Sequence, residues 1–127
     1  MTNYDLEEVR LIEVQIVLSI ILLFTTIISI TLSYNAALGI KNEDTIYTDK
    51  EATDILLFNR TVMFVVAAIF IYINIRDKEV KEKYNKDEEF ADLQIWASVL
   101  SLAAALIVLY VGVKSGSNVV SEENPTV

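Results

Sequence analysis

The chain has 127 residues, of which 54% are hydrophobic, and it contains only three glycines and one proline. This length suffices for one domain, and the scarcity of turn formers argues against disorder and against a turn-rich all-β fold. The absence of cysteine and histidine excludes disulfides, the usual zinc sites and histidine-based catalysis. The net charge of −8 is spread over every polar segment, without the basic stripe of a nucleic-acid-binding protein.

The longest apolar run covers residues 14–38 and carries no charge. A helix that crosses a bilayer needs about 20 mostly apolar residues, so this run predicts a transmembrane span. The run exceeds the core of a signal peptide, and acids dominate the residues before it, so we expect it to stay in the mature protein. Thr2, Asn3 or Asp5 is a candidate cap for a helix that begins near residue 3 and projects into water.

A polar stripe runs along one face of this span, because its members follow each other at steps of four, seven, three and four residues. The stripe consists of Gln15, Ser19, Thr26, Ser29 and Ser33. Small and hydroxyl residues in lipid mark surfaces where helices approach each other and form hydrogen bonds. We interpret the stripe as a packing face, and a water-lined pathway is the alternative. The absence of a charge at mid-depth favours packing.

A polar loop at residues 39–54 is predicted next, with Gly39 as the end of the first helix. Thr48 and Glu51 match a capping box for the following helix. Thr53 and Asp54 are the alternative caps.

The second span is predicted at residues 55–75, with Arg60 and Arg76 at the ends of its most apolar part. Arg60 has two interpretations: an intramembrane charge with a functional role, or a side chain that extends to the membrane interface. Asn59 begins a glycosylation triplet, but an acceptor at the membrane surface is hard for a modifying enzyme to reach.

Residues 76–92 form the most charged segment, and its Lys–Glu pairs four residues apart predict a helix to about Tyr84. A turn at 85–87 and a helical start at 88–92 should lead into the third span, residues 93–113. This span has a small and polar face, made of Gln94, Ser98, Ser101, Ala105 and Gly112. We expect the stripe of the first helix to look inward at this face. Residues 114–127 are predicted to be a flexible tail.

The second loop carries five Lys or Arg residues and the first loop only two, which predicts a cytoplasmic second loop and N-terminus and an outside C-terminus. The predicted fold class is all-α: an integral membrane three-helix antiparallel bundle. Its helices extend beyond the bilayer on the cytoplasmic side. We call these extensions, residues 3–13, 76–84 and 88–92, the collar.

Neighbouring antiparallel helices meet at equal depth, so Glu13 should lie near Arg76, and Gln15 near Asn74. The charged collar also carries apolar surface, made of Leu6, Val9, Tyr84 and Phe90. This surface is either an ordinary transition from water to lipid or a docking site for a partner.

Short apolar motifs along the chain carry a resemblance to a group of membrane proteins. The motifs are LFNR at 57–60, YIN at 72–74, LQI at 93–95, ASVL at 97–100 and YV at 110–111. With them the chain resembles small three-span membrane proteins of AT-rich genomes, found in low-GC bacteria and large DNA viruses. The resemblance implies three spans and no particular activity. A large-virus origin would imply a structural role in a virion membrane.

The expected function is a non-enzymatic membrane scaffold that associates with itself or anchors other membrane or capsid proteins. It needs no cofactor, metal or nucleic acid, and we identify no small-molecule substrate. A small oligomeric pore, including a holin-like one, is the alternative, although no ring of charges lines a span. No nucleophile and base are placed together by a recognisable motif, so we expect no enzymatic activity.

Overall fold

The computed structural model describes residues 1–115 as three α-helices: α1 (Asn3–Ile40), α2 (Asp49–Lys83) and α3 (Ala91–Ser115). They are about 57, 53 and 38 Å long, at 1.5 Å per residue. Each helix is long and apolar enough to cross a membrane. The predictions of an all-α chain and of three apolar helices are confirmed. Most of the predicted tail, residues 116–127, lies outside the described residues.

Both long helices begin at a capping box, in which side chain and backbone satisfy each other's hydrogen bonds. At α1 the Thr2 hydroxyl accepts a hydrogen bond from the Asp5 backbone at 3.1 Å, and the Asp5 carboxylate accepts one from the Thr2 backbone. Thr48 and Glu51 repeat this arrangement at α2, at 3.2 and 3.0 Å. Among the candidate caps, Thr2 and Thr48 are the ones used.

α1 ends one residue beyond Gly39, and an asparagine reverses the chain there. Asn42 has a φ of 58°, and the backbone of Glu43 donates to the carbonyl of Leu38 at 2.9 Å. Asparagine tolerates this left-handed conformation better than most residues, so it takes the role that is usual for glycine after a helix. Gly39, the predicted stop, therefore lies within the last turn of α1.

The collar differs from the prediction at residues 88–90, which form a turn instead of the first turn of a helix. Asn85 has a φ of 54°, and the Asp87 carboxylate accepts a hydrogen bond from the Glu89 backbone at 3.0 Å. Such local bonds from side chain to backbone compete with the helical hydrogen-bond pattern. α3 therefore begins at Ala91, and the predicted helical extension at 88–92 is wrong except for its last two residues.

α2 is the central helix, since it packs against both α1 and α3. Within the described part of the chain, no Cα atom of α1 lies within 8 Å of a Cα atom of α3. The stripe of α1 and the small face of α3, which we expected to look at each other, therefore do not pack directly together. The fold is a row of three antiparallel helices in which α2 separates the other two.

The contact between α1 and α2 follows a seven-residue repeat, in which Leu18, Thr25 and Leu32 of α1 are all buried. Such a repeat is typical of two helices that pack side by side over a long distance. Leu18 packs with Val66 and Ile73 in one cluster, and Leu32 belongs to a second cluster nearer the first loop. This line of contacts fixes α1 along α2.

Asn35 fixes the first loop to the bundle. Its side chain is buried, and its Oδ1 atom accepts hydrogen bonds from the backbones of Ile46 and Tyr47 at 2.9 and 2.8 Å. An Asn35→Ala variant should leave both backbone groups without this acceptor, at a cost of about 1–3 kcal/mol locally. We expect amide hydrogen exchange at residues 46 and 47 to rise at least about tenfold.

The matched control for this variant is Asp44→Ala, because Asp44 lies exposed in the same loop and makes no hydrogen bond within the described residues. Exchange at residues 46 and 47 should stay at the parent rate in the control. Equal exchange in both variants would mean that the loop does not depend on Asn35.

Candidate functional site

An open cleft of about 770 Å³ lies between α1 and α3, above α2. α2 forms the floor of the cleft, and the other two helices form its walls. The lining residues are Gln15, Ser19 and Leu22 of α1, Met63, Val66, Ala67, Phe70 and Asn74 of α2, and Gln94, Ala97, Ser98, Ser101, Ala104, Ala105 and Val108 of α3. None of these residues carries a charge.

One end of the cleft is polar, because side-chain amides from all three helices meet at the same depth. The Asn74 amide donates hydrogen bonds to the Ser98 hydroxyl and to the Gln94 carbonyl oxygen. The side-chain amides of Gln15 and Gln94 form no hydrogen bond with any described residue. Gln15 and Asn74, which we expected at equal depth, line the same end, and the two glutamine amides are available to a molecule in the cleft.

The α3 wall of the cleft consists mostly of small side chains. Ala97, Ser101 and Ala104 are exposed there at steps of four and three residues, so they share one face of the helix. Small side chains allow another helix backbone to approach closely. This wall therefore has the shape and chemistry of a helix-packing surface that the chain itself leaves unoccupied.

The predicted stripe of α1 does not act as one unit. Gln15 and Ser19 line the cleft, whereas Ser29 is buried against α2 and accepts a hydrogen bond from the Asn59 amide at 3.1 Å. Thr26 is exposed and donates to a carbonyl of its own helix, and Ser33 is half-buried. One part of the stripe therefore faces the cleft, and another part packs against α2.

The consecutive residues Asn59 and Arg60 connect α2 to both other helices. Each is only 1% exposed. The Asn59 amide donates to Ser29 and to the Thr25 carbonyl oxygen of α1 at 3.1 Å, while Arg60 Nη1 donates to the Val108 carbonyl oxygen of α3 at 2.8 Å. The Arg60 side chain is therefore enclosed between the helices, and burial also makes Asn59 a poor glycosylation acceptor.

Gly112 makes room for the Arg60 side chain on the surface of α3. A Cβ atom at this position would lie 3.0 Å from Arg60 Nη1 and 3.3 Å from the Cδ2 atom of Leu57. Gly112 was part of the predicted small face, but its pairing with the arginine was not foreseen. The signal was present in the sequence, since antiparallel helices bring residues 60 and 112 to similar depth.

Comparison with protein-family models, with curated proteins and with solved structures finds no match to this chain. Within the described residues there is also no group of three or more His, Cys, Asp or Glu that could hold a metal ion. The function therefore has to be inferred from the cleft and from the contacts around it.

The expected pairing of Glu13 with Arg76 in the collar is not formed. Arg76 pairs with Glu79 of its own helix at 3.0 Å, while Glu13 is exposed and forms no ion pair with a described residue. Tyr84 is half-buried, with its ring 5.7 Å from that of Tyr4 in an edge-on arrangement. The members of the predicted partner surface that stay exposed are Phe90 at 62%, Leu6 at 42% and Val9 at 36%.

Proposed function

We propose that this protein is a non-enzymatic integral membrane protein that assembles through the cleft between α1 and α3, with its collar on the cytoplasmic side. The observation that carries the proposal is the lining of the cleft, which combines small side chains with uncharged amides. Interhelical hydrogen bonds in membranes contribute about 0.6 kcal/mol each, and close packing adds to them. A transmembrane helix is the occupant that uses both features.

We propose that the occupant is α3 of a second copy, related by a two-fold axis along the membrane normal. In such a pair every residue meets the second copy at its own depth. The Gln94 amide of each copy would therefore reach the level of Gln15 and Asn74 of the other. Ala97 and Ser101 would face the same small residues of the second copy. The chain thus supplies both the cleft and a helix that matches it.

A Ser101→Phe variant tests this assembly, because its ring would fill the cleft. Extra volume at a packed contact costs about 1–3 kcal/mol, so we expect association in liposomes to weaken on the order of tenfold or more. The chain has no cysteine, so a single exposed Lys41→Cys substitution allows donor and acceptor labelling. Energy transfer between labelled copies, measured against dilution with lipid, reports the association.

Leu100→Phe is the matched control, since Leu100 is 67% exposed, neighbours Ser101 and does not line the cleft. Its energy transfer should equal that of the parent. A parent chain that shows no energy transfer at any protein-to-lipid ratio would contradict the second copy as occupant. A parent and Ser101→Phe variant that associate equally well would contradict the cleft as the assembly surface.

The alternative function, a small pore, is less well supported by the cleft. Polar side chains gather at the end near Asn74, whereas Leu22 and Val108 contribute apolar lining elsewhere. A water-filled path needs polar groups or a wide bore along its whole length. Release of a small dye from liposomes at high protein load would support the pore, and intact liposomes would exclude it.

A further inference from the structure

The collar contains a pair of carboxyl groups that joins α1 to α2. Glu8 of α1 faces Asp77 of α2, and Lys81, one helical turn further along α2, places its Nζ atom 2.9 Å from the Asp77 carboxylate. The Oε1 atom of Glu8 is buried and has no hydrogen-bond partner among the described residues. Two carboxylates that face each other cannot form a hydrogen bond unless one of them holds a proton.

We infer that Glu8 makes the contact between α1 and α2 in the collar depend on pH. When Glu8 is protonated, its hydroxyl donates a hydrogen bond to the Asp77 carboxylate and holds the projecting end of α1 against α2. When Glu8 is ionised, the two carboxylates repel each other and that end separates. The inference does not depend on which molecule occupies the cleft.

The surroundings of the pair favour the protonated form of Glu8. Burial, the hydrogen bond with Asp77 and the negative charge of Asp77 together raise the pKa of Glu8 to about 7, and the ammonium of Lys81 opposes them. The remaining neighbour is Tyr4 of α1, whose hydrogen bond with Glu8 also opposes the shift. No Cα atom of α3 lies within 8 Å of a Cα atom of α1 in the described residues, and no group of α3 is among those that shift the pKa of Glu8.

The direction of the pH dependence follows from this raised pKa. The ordinary value for a glutamate is 4.5, so the docked form of α1 binds the proton more tightly than the separated form. The contribution of Glu8 to docking is complete below about pH 4.5 and is lost as the pH rises through about 7. The ion pair of Lys83 with Glu7, at 3.5 Å, keeps α1 within reach of α2 when Glu8 is ionised.

The position of α1 in the collar also affects the cleft. Among the described helices, α2 is the one whose Cα atoms come within 8 Å of those of α1, and Gln15 lies two helical turns beyond Glu8 on α1. When the projecting end of α1 separates, the α1 wall moves away from α3 at the polar end of the cleft. The cleft is therefore narrower at low pH than at high pH.

Spin labels on the full chain in lipid nanodiscs test the inference. We choose Leu6→Cys on α1 and Glu82→Cys on α2, both exposed collar positions, and measure their separation between pH 5 and pH 8.5. We expect one short distance at pH 5 and a second, longer distance that grows with a midpoint near pH 7. A single distance that stays the same over this range would overturn the inference.

Three variants assign the transition to Glu8. Glu8→Gln should keep the short distance at every pH, because the neutral amide still donates to Asp77 and is never ionised. Asp77→Asn should move the midpoint to lower pH, because it removes the neighbouring negative charge. Glu13→Gln, an exposed control five residues along α1, should keep the parent midpoint. A transition that survives in Glu8→Gln would overturn the assignment.

Discussion

Replacing Ile73 with alanine is expected to loosen α1 from α2 by about 2 kcal/mol. Ile73 is 1% exposed and packs in one cluster with Leu18 and Val66. Removal of a buried isoleucine side chain costs about 2–5 kcal/mol in water-soluble proteins, as the sum of a transfer term and a cavity term. In lipid the separated helices remain in an apolar solvent, so the transfer term falls away and the lower end of this range applies.

The measurement for Ile73→Ala is the midpoint of helix separation in mixed micelles during titration with dodecyl sulfate. Energy transfer between labels on α1 and α2 reports the separation. Ile75→Ala is the matched control, because Ile75 lies two residues away on α2 and is 42% exposed. Equal midpoints in the two variants would show that the cluster around Ile73 does not hold α1.

Replacing Gly112 with leucine is expected to push α3 away from α2 at the end where Arg60 is buried. The Cβ atom alone would approach Arg60 Nη1 to 3.0 Å, and a leucine adds three more carbon atoms at the same place. Such overpacking costs about 1–3 kcal/mol, occasionally more. The displaced guanidinium would also lose its hydrogen bond to Val108. Energy transfer between labels on α2 and α3 follows the separation.

A graded series strengthens this prediction. Gly112→Ala should change stability by less than about 1 kcal/mol, because the flexible end of Arg60 yields and alanine favours the helix. Val113→Leu, at a position 61% exposed, should have no effect. In an Arg60→Ala background the cost of Gly112→Leu should shrink, since the double-mutant cycle removes the clash. Full additivity of the two substitutions would contradict the contact.

The positions of the helices were predictable from the sequence because their signals are local. Uncharged runs of sufficient length give the spans, and capping residues such as Thr48 give the starts. The turn at residues 85–90 was harder to bound, since Asp87 suits a helix start as well as the turn bond that it makes.

Which helices are neighbours in the bundle was not predictable from such local signals. In a soluble protein the buried face is the apolar one, but in lipid both faces of a helix are apolar, and the periodicity of hydrophobic residues loses its meaning. The hydroxyl stripe indicated a contact and not the neighbour that makes it. The seven-residue repeat of Leu18, Thr25 and Leu32 indicates the contact between α1 and α2 better than the hydroxyl stripe does.

The cleft could be predicted only in its parts. The polar stripe of α1 and the small face of α3 were visible in the sequence, and so was the equal depth of Gln15 and Asn74. That Gln15 and Ser19 stand across a cleft from the small face of α3 follows from the central position of α2, which is a property of the packed chain. The burial of Arg60 likewise depends on Gly112, a residue from another helix.

Arg60 and Asn74 both bond to α3 from α2, about four helical turns apart. One residue inserted between them would rotate one end of α2 by about 100° relative to the other, so that only one of the two side chains could still reach α3. The stretch between them is therefore constrained in length more strictly than in composition. Exchanges among exposed apolar residues leave the geometry intact, whereas a single added or deleted codon there breaks the alignment of the whole bundle.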